Sequence, residues 1–299
     1  MKNKIILIVS LSFFYLLNLS TFALSENLNI KAKNITIDKE TKIINFKGEV
    51  IAKDTNNNII ETEIATYDKK KNIFKATQKV KIITAQGYKI YSENIYYNNI
   101  KGVITSDKDT KIIDIDGNVI DVEMFEYNRD KNILFSKGNI RIKDIKKNSY
   151  KFSEIYIDEN KRKIVGSDLR AFFNPDSLGA DSNDPRIFGN TISISDEKSE
   201  IGKGVFTYCK LKNDNECPAW SLKAKKITHD TAKKTIYYDK AVLKIYDIPV
   251  FYFPIFFHPD PTVKRQSGFL PPSFVDNKNL GTGLAIPYFL NIAKDRDFT

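Results

Sequence analysis

The side chains able to do chemistry are few, and their spacing suits none of the common reactions. The chain has two histidines, His229 and His258. Neither has a cysteine or a second histidine at metal-ligand spacing. No Gly-x-Ser-x-Gly elbow presents a nucleophile, and no glycine loop cradles a phosphate. Acidic pairs such as Asp114 and Asp116 fall at predicted strand ends beside turns, where Asp bonds backbone N–H groups. The expectation is therefore no catalytic residue, no metal and no cofactor, but a binding or structural protein. Cys209 and Cys217 are the two cysteines, and an even count suggests a disulfide if the chain is exported. Pairing with each other would close a short loop through Lys212–Asn215; pairing with another segment or a partner stays open. Trp220 is expected in the core.

The elements that must carry any binding surface show a beat of thirty residues. Asp38, Asp68, Asn98, Asn128 and Asp158 keep it, each after a β-branched or aromatic residue: Ile37, Tyr67, Tyr97, Tyr127 and Ile157. Ile44, Phe74, Ile104, Leu134 and Ile164 follow six positions later. Such a period marks stacked supersecondary units that cannot bury an apolar face alone. Within a copy the pattern alternates: Ile44, Phe46, Val50 and Ala52 share one face, Asn45, Lys47, Glu49 and Lys53 the other. Phe74, Ala76, Val80 and Ile82 repeat this, as do Leu134, Ile140 and Ile142. Period two with one apolar face is a half-buried strand. Turn signals at 56–58, 86–87 and 116–118 lead to return strands carrying Ile60 and Ile64, Tyr88 and Ile90, then Ile120, Val122 and Met124. Thirty is even, so inward parity is kept between copies. Each copy is two strands, and the stack is expected to wrap around an apolar interior. A weaker sixth copy is expected with Asp230, Ile236 and Val242. That interior is either a sealed core or a groove for acyl chains; periodicity does not separate them.

Lys2 and Lys4 precede an apolar run, Ile5 to Leu17, and Ala23-Leu24-Ser25 offers small residues before Glu26. This order predicts a secretory signal peptide over 1–25; the run is short of the ~20 apolar residues a membrane-spanning anchor needs. Hydrophobic residues make up 41% and the net charge is +10, but the lysines are scattered at turns among acids, which predicts a solvated surface. Nucleic acid is not an expected partner. All ten prolines lie at or after Pro175. Proline is kept out of sheet interiors, so the earlier part fits continuous sheet, with a loop around 174–186.

Residues 249–254 read PVFYFP; His258-Pro259-Asp260-Pro261 and Lys264-Arg265-Gln266-Ser267-Gly268-Phe269-Leu270-Pro271-Pro272 follow, then Ile286-Pro287-Tyr288-Phe289. This series resembles the junction between periplasmic domain and barrel in the LPS-assembly protein family LptD (the organic solvent tolerance proteins). The Cys217 to Trp220 stretch and the Tyr237 to Tyr252 region are also similar to that family, and the upstream repeats are similar to the jellyroll of its soluble relatives LptA and LptC. The resemblance implies an all-β fold: a periplasmic OstA-like β-jellyroll of ~30-residue two-strand units over 26–260, then the first strands of an incomplete outer-membrane β-barrel over 261–299.

The function it implies is a subunit of the outer-membrane lipopolysaccharide translocon, not an enzyme. It would receive lipopolysaccharide in a groove lined by Ile44, Phe46, Val50, Ala52, Phe74, Val80, Ile82, Ile90, Ile104, Leu134, Ile140 and Ile142. Partners implied are an LptA-like periplasmic bridge protein, stacked edge to edge, and an LptE-like plug lipoprotein if the barrel is completed. Pro272 and Pro287 match positions where the family places prolines in its first barrel strands, weakening the barrel seam; ending strands or shaping turns is the other reading. Two departures stand out. The sequence stops at Thr299, so nearly all of the barrel is missing, and Ser25-Glu26-Asn27 offers none of the family's usual N-terminal cysteine. A free-standing soluble bridge protein of the LptA kind and a β-solenoid polysaccharide enzyme or adhesin are the alternatives.

Overall fold

The computed structural model describes residues 29–299 except 54–56, 86, 129, 159, 175–183, 210–219, 260–266, 270–272, 278–280 and 294–295. The predicted signal peptide lies outside the described residues. Among the described residues the regular structure is β throughout, as the alternation led one to expect. The chain divides into two compact units, one ending at Leu169 and one running from Arg170 to Thr299.

In the first unit the strand pairings among the described residues are all antiparallel. Asn29–Lys31 and Asn34–Ile37 both lie against Ile43–Lys53. The sheet continues through Ile59–Asp68, Ile73–Ile83 and Lys89–Asn98. The third copy is broken into four short strands: Val103–Ser106, Thr110–Ile113, Val119–Val122 and Phe125–Asn128. Ile133–Lys143, Ser149–Asp158 and Lys163–Phe172 follow. The thirty-residue beat is a turn cap. The side-chain oxygen Oδ1 of Asp68 accepts from the backbone N–H of Lys71 at 3.0 Å. Asn98, Asn128 and Asp158 accept in the same way from Lys101, Lys131 and Lys161. Asp and Asn recur here because a short side-chain acceptor closes the turn onto its own backbone.

A second beat lies at the opposite ends of the strands. Asn58, Asn118 and Asn148 are buried. Asn58 Oδ1 accepts from Ala85 N at 2.9 Å, and Asn118 Oδ1 from Ile145 N at 3.0 Å, so one turn is tied to the next copy's turn. Asn118 and Asn148 also donate to Asp114 and Asp144 within their own turns. The Asp114 carboxylate is occupied by this turn, accepting from the backbone of Asp116 and Asn118.

The strands kink in the middle. Lys47 faces Ile64 but Val50 faces Thr62, and Lys137 faces Glu154 but Ile140 faces Phe152, so an extra residue is accommodated in a bulge each time. The bulge recurs at thirty-residue spacing with positive φ at Gly48 (80°), Gln78 (69°), Gly138 (105°) and Asp168 (54°). At the equivalent place the third copy stops at Ser106 and restarts at Thr110. The bulge corrects the expectation of constant parity along each strand. Beyond it the return strands shift by one: Ile60 and Thr62 are buried, then Ala65 in place of Ile64. Likewise Val122 is followed inward by Phe125 in place of Met124.

The second unit holds Asp184–Ile194, Lys198–Gly202, Val205–Cys209, Trp220–Lys223, Lys226–Asp230, Thr235–Ile245 and Ile248–Pro259, again antiparallel. Asp184 and Pro185 belong to a strand, not to the predicted loop; the Pro185 carbonyl accepts from Phe173 N at 3.0 Å, which needs no proline N–H. Asp230 takes the place of the earlier Asp and Asn residues and caps its turn in the same way, accepting from Lys233 N at 2.9 Å. Inward, however, stand Tyr238, Ala241 and Leu243, not Ile236 and Val242. Lys240 has a positive φ of 50° there, and the register with Ile248–Pro259 slips between Leu243 and Lys244. Trp220 is buried, edge-on to Phe206 with ring centroids 6.0 Å apart. Short strands Gly268–Phe269, Ser273–Asn277, Gly281–Ala285, Tyr288–Ala293 and Arg296–Phe298 complete the described chain.

Candidate lipid-binding interior

The inward side chains of the first unit form two apolar rows that cross the sheet, one on each side of the kink. The first runs in direct register Ile44–Tyr67–Phe74–Tyr97–Ile104–Tyr127–Leu134–Ile157. The second runs Ala52–Ile60–Ile82–Ile90–Ile112–Ile120–Ile142–Tyr150. Strands lie about 4.8 Å apart, so seven steps carry each row roughly 34 Å. Cross-strand neighbours on one face are the pairs that stabilise a sheet, and here almost every pair joins an aliphatic to an aliphatic or aromatic residue.

The twelve predicted lining residues divide between these sides. Ile44, Phe46, Phe74, Ile104 and Leu134 lie on the side of the capped turns, while Val50, Ala52, Val80, Ile82, Ile90, Ile140 and Ile142 lie beyond the kink. Ten are buried, and Ile44 and Leu134 are half-buried. Val50, Ala52 and Ile140 are each 1% exposed, so beside the kink the interior is closed to water. The sequence pattern left out half of the first row: Tyr67, Tyr97 and Tyr127 precede the caps and turn their rings inward. Their hydroxyls reach back to the turns, donating to Asn72 and Asn99 at 2.7 Å and to Asn132 at 3.3 Å.

Between the rows lies a polar seam that alternation did not reveal. Thr62, Ser92, Asn94, Ser106, Thr110 and Ser136 are all buried at the kink. Bulges leave main-chain carbonyls without ladder partners, and the hydroxyls supply them. Thr62 Oγ1 donates to Thr77 O at 2.8 Å, Thr110 Oγ1 to Lys108 O at 2.9 Å and Ser136 Oγ to Met124 O at 2.8 Å. A buried polar group without a partner is costly; these hydroxyls let the strands bend without one.

The other predicted positions are less informative. Cys217 and Pro272 lie outside the described residues, and of Cys209 only the backbone, at the end of its strand, is described. Pro287 sits in the two-residue link between Gly281–Ala285 and Tyr288–Ala293. His258 lies beside Tyr238, with Nε2 3.0 Å from the hydroxyl, and burial raises the tyrosine pKa. Among the described residues no three His, Cys, Asp or Glu side chains gather as a metal site.

No family model matches the chain. Curated relatives do. It is 42% identical over 79 residues to the LPS-assembly protein LptD of Francisella tularensis subsp. novicida, a match covering 26% of this chain and 9% of that protein. It is 35% identical over 106 residues to LptD of Burkholderia ambifaria, covering 36% and 13%. With LptD of Pseudomonas putida it shares 29% identity over 153 residues, covering 48% and 16%. The matched part thus spans less than a fifth of the length of each of these relatives. Among solved structures, LptH of Pseudomonas aeruginosa, described as the LptA homologous periplasmic component of a lipopolysaccharide transport device, aligns with a TM-score of 0.33. That alignment has 15% identity and covers 37% of this chain and 81% of LptH. Over the matched segments this chain is LptD-like, similar in sequence to LPS-assembly proteins, as its proline-aromatic junction led one to expect.

Proposed function

We propose that this chain is the lipopolysaccharide-receiving part of an outer-membrane translocon, with the two apolar rows as the path for the acyl chains. The observation that carries this reading is the unbroken register of both rows across every copy of the first unit. Each methylene moved from water to such a lining gains about 0.8 kcal/mol. Because the interior is closed beside the kink, the lipid enters by parting apolar walls, exchanging one apolar contact for another. The chain would be exported, stand in the periplasm over 26–260 and enter a barrel from 261 onward, there meeting a plug lipoprotein of the LptE kind. It would act without catalysis. A bridge protein of the LptA kind would add a strand to Asn34–Ile37, an edge whose Ile35 and Ile37 are 49% and 63% exposed.

The test is a photo-crosslinking amino acid placed at Phe46 or Phe74, with Lys47 on the outer face as the comparison. Capture of lipopolysaccharide from Phe46 and Phe74 but not Lys47 is expected. Capture from Lys47 alone overturns the reading.

A further inference from the structure

The two ends of the first unit's strands differ in charge. The five capped turns at 38–42, 68–72, 98–102, 128–132 and 158–162 carry ten Lys or Arg against six Asp or Glu. The four turns at the other end, 54–58, 84–88, 114–118 and 144–148, carry two against four. At the capped end the lysines keep the same phase as the caps. Lys71, Lys101, Lys131 and Lys161 each donate a backbone N–H to the cap of their own turn, so their side chains leave equivalent points of successive turns. Two strands separate one turn from the next, which spaces the lysines about 10 Å apart.

The caps are not all charged. Asp68 and Asp158 stand 3.9 and 3.1 Å from the amines of Lys71 and Lys161, which remain 74% and 76% exposed. In the two middle copies Asn98 and Asn128 close the turn equally well without a carboxylate. One acid, Asp130, stands nearby against Gly102. The apolar row nearest this end passes through Tyr67, Tyr97 and Tyr127, each four residues before one of these lysines. An amphiphile with its chains along that row would bring its head group to the lysines and not to the acidic end.

We propose that Lys71, Lys101, Lys131 and Lys161 form a rail for the phosphate groups of the lipid, fixing which way round it lies in the fold. The inference rests on the lipid-path reading above and adds the end at which the phosphates sit. An ammonium takes phosphate as a point charge and tolerates sliding, which suits a ligand that moves from turn to turn.

The experiment uses the full chain, a phosphorylated lipid A and the same lipid with its phosphates removed. Changing all four lysines to Gln (K71Q, K101Q, K131Q, K161Q) is expected to weaken binding of the phosphorylated lipid about tenfold at low salt. That corresponds to about twofold per exposed contact. Salt should weaken the variant less than the parent. The dephosphorylated lipid should bind both proteins equally, and K146Q with K147Q at the opposite end should change nothing. Unchanged affinity for the phosphorylated lipid, or equal loss with both lipids, overturns the rail. If the parent still crosslinks lipid through Phe46 and Phe74 in that case, the path survives without it. Absence of crosslinking overturns both.

Discussion

Replacing Asn118 with Ala isolates the second beat. Asn118 is 3% exposed; its Nδ2 donates to Asp114 Oδ2 at 2.5 Å and its Oδ1 accepts from Ile145 N at 3.0 Å. Truncation leaves the Ile145 N–H without its acceptor and takes one donor from a carboxylate that is itself 5% exposed. A buried group left unsatisfied costs about 1–3 kcal/mol, and more for a charged one. Two such losses give about 3 kcal/mol. At about 2–4 °C per kcal/mol for a domain of this size, the thermal midpoint falls by about 6–12 °C. Urea unfolding followed by circular dichroism measures the total, and hydrogen exchange at the Ile145 amide measures the local share. Removing Asp114 as well should recover part of the loss, because no carboxylate is then left stranded. A loss under about 1 kcal/mol, or simple additivity with Asp114→Ala, refutes the idea that these asparagines tie one copy to the next.

The caps predict a pH dependence. Asp38 is held below the ordinary carboxylate range chiefly by its hydrogen bond from the Thr41 side chain, and Asp158 chiefly by that from the Lys161 backbone N–H. A depressed folded-state pKa adds stability that is present above the unfolded value near about 3.9 and is lost as pH falls through the folded one. Urea midpoints should therefore drop below about pH 4, and D38N with D158N should shrink the drop. At the kink, Gly48→Gln should cost under about 1 kcal/mol, since Gln78 adopts a similar φ one copy later. Gly138→Val should cost about 2 kcal/mol, because φ 105° is hostile to a branched side chain and Glu123 crowds the new Cβ. Phe74→Ala, at a site 3% exposed between Tyr67 and Tyr97, should cost about 3–5 kcal/mol by denaturant melts. The exposed Lys69→Ala should stay within about 0.5 kcal/mol.

How far the sequence foretold this depended on whether one residue type did one job. The caps were legible because only a short acceptor closes that turn, so Asp or Asn recurs every thirty residues. The inward face was legible along Ile43–Lys53, Ile73–Ile83 and Ile133–Lys143, but only in part along the return strands, where Ala65 and Phe125 turn in. The kink was not, because Gly, Gln, Gly and Asp all serve its backbone geometry and leave no compositional trace. From that one blind spot follow the misplacement of Ile64 and Met124 and the unforeseen polar seam. Asn58 and Asn118 were visible, but as turn formers; their bonds to Ala85 and Ile145 span 27 residues and cannot be read locally. Tyr97 and Tyr127 were noted only as neighbours of the caps, though their rings are buried in the apolar row.

Because the cap recurs every thirty residues and the asparagine tie every sixty, the first unit's length is quantised. A duplicated copy of thirty residues would insert with its cap and strand register already specified, lengthening each apolar row by about 10 Å. A shorter insertion would put a cap where a kink belongs. The first unit is therefore a ruler with one fixed graduation, and relatives that must reach farther or less far have one easy way to change: whole graduations at a time.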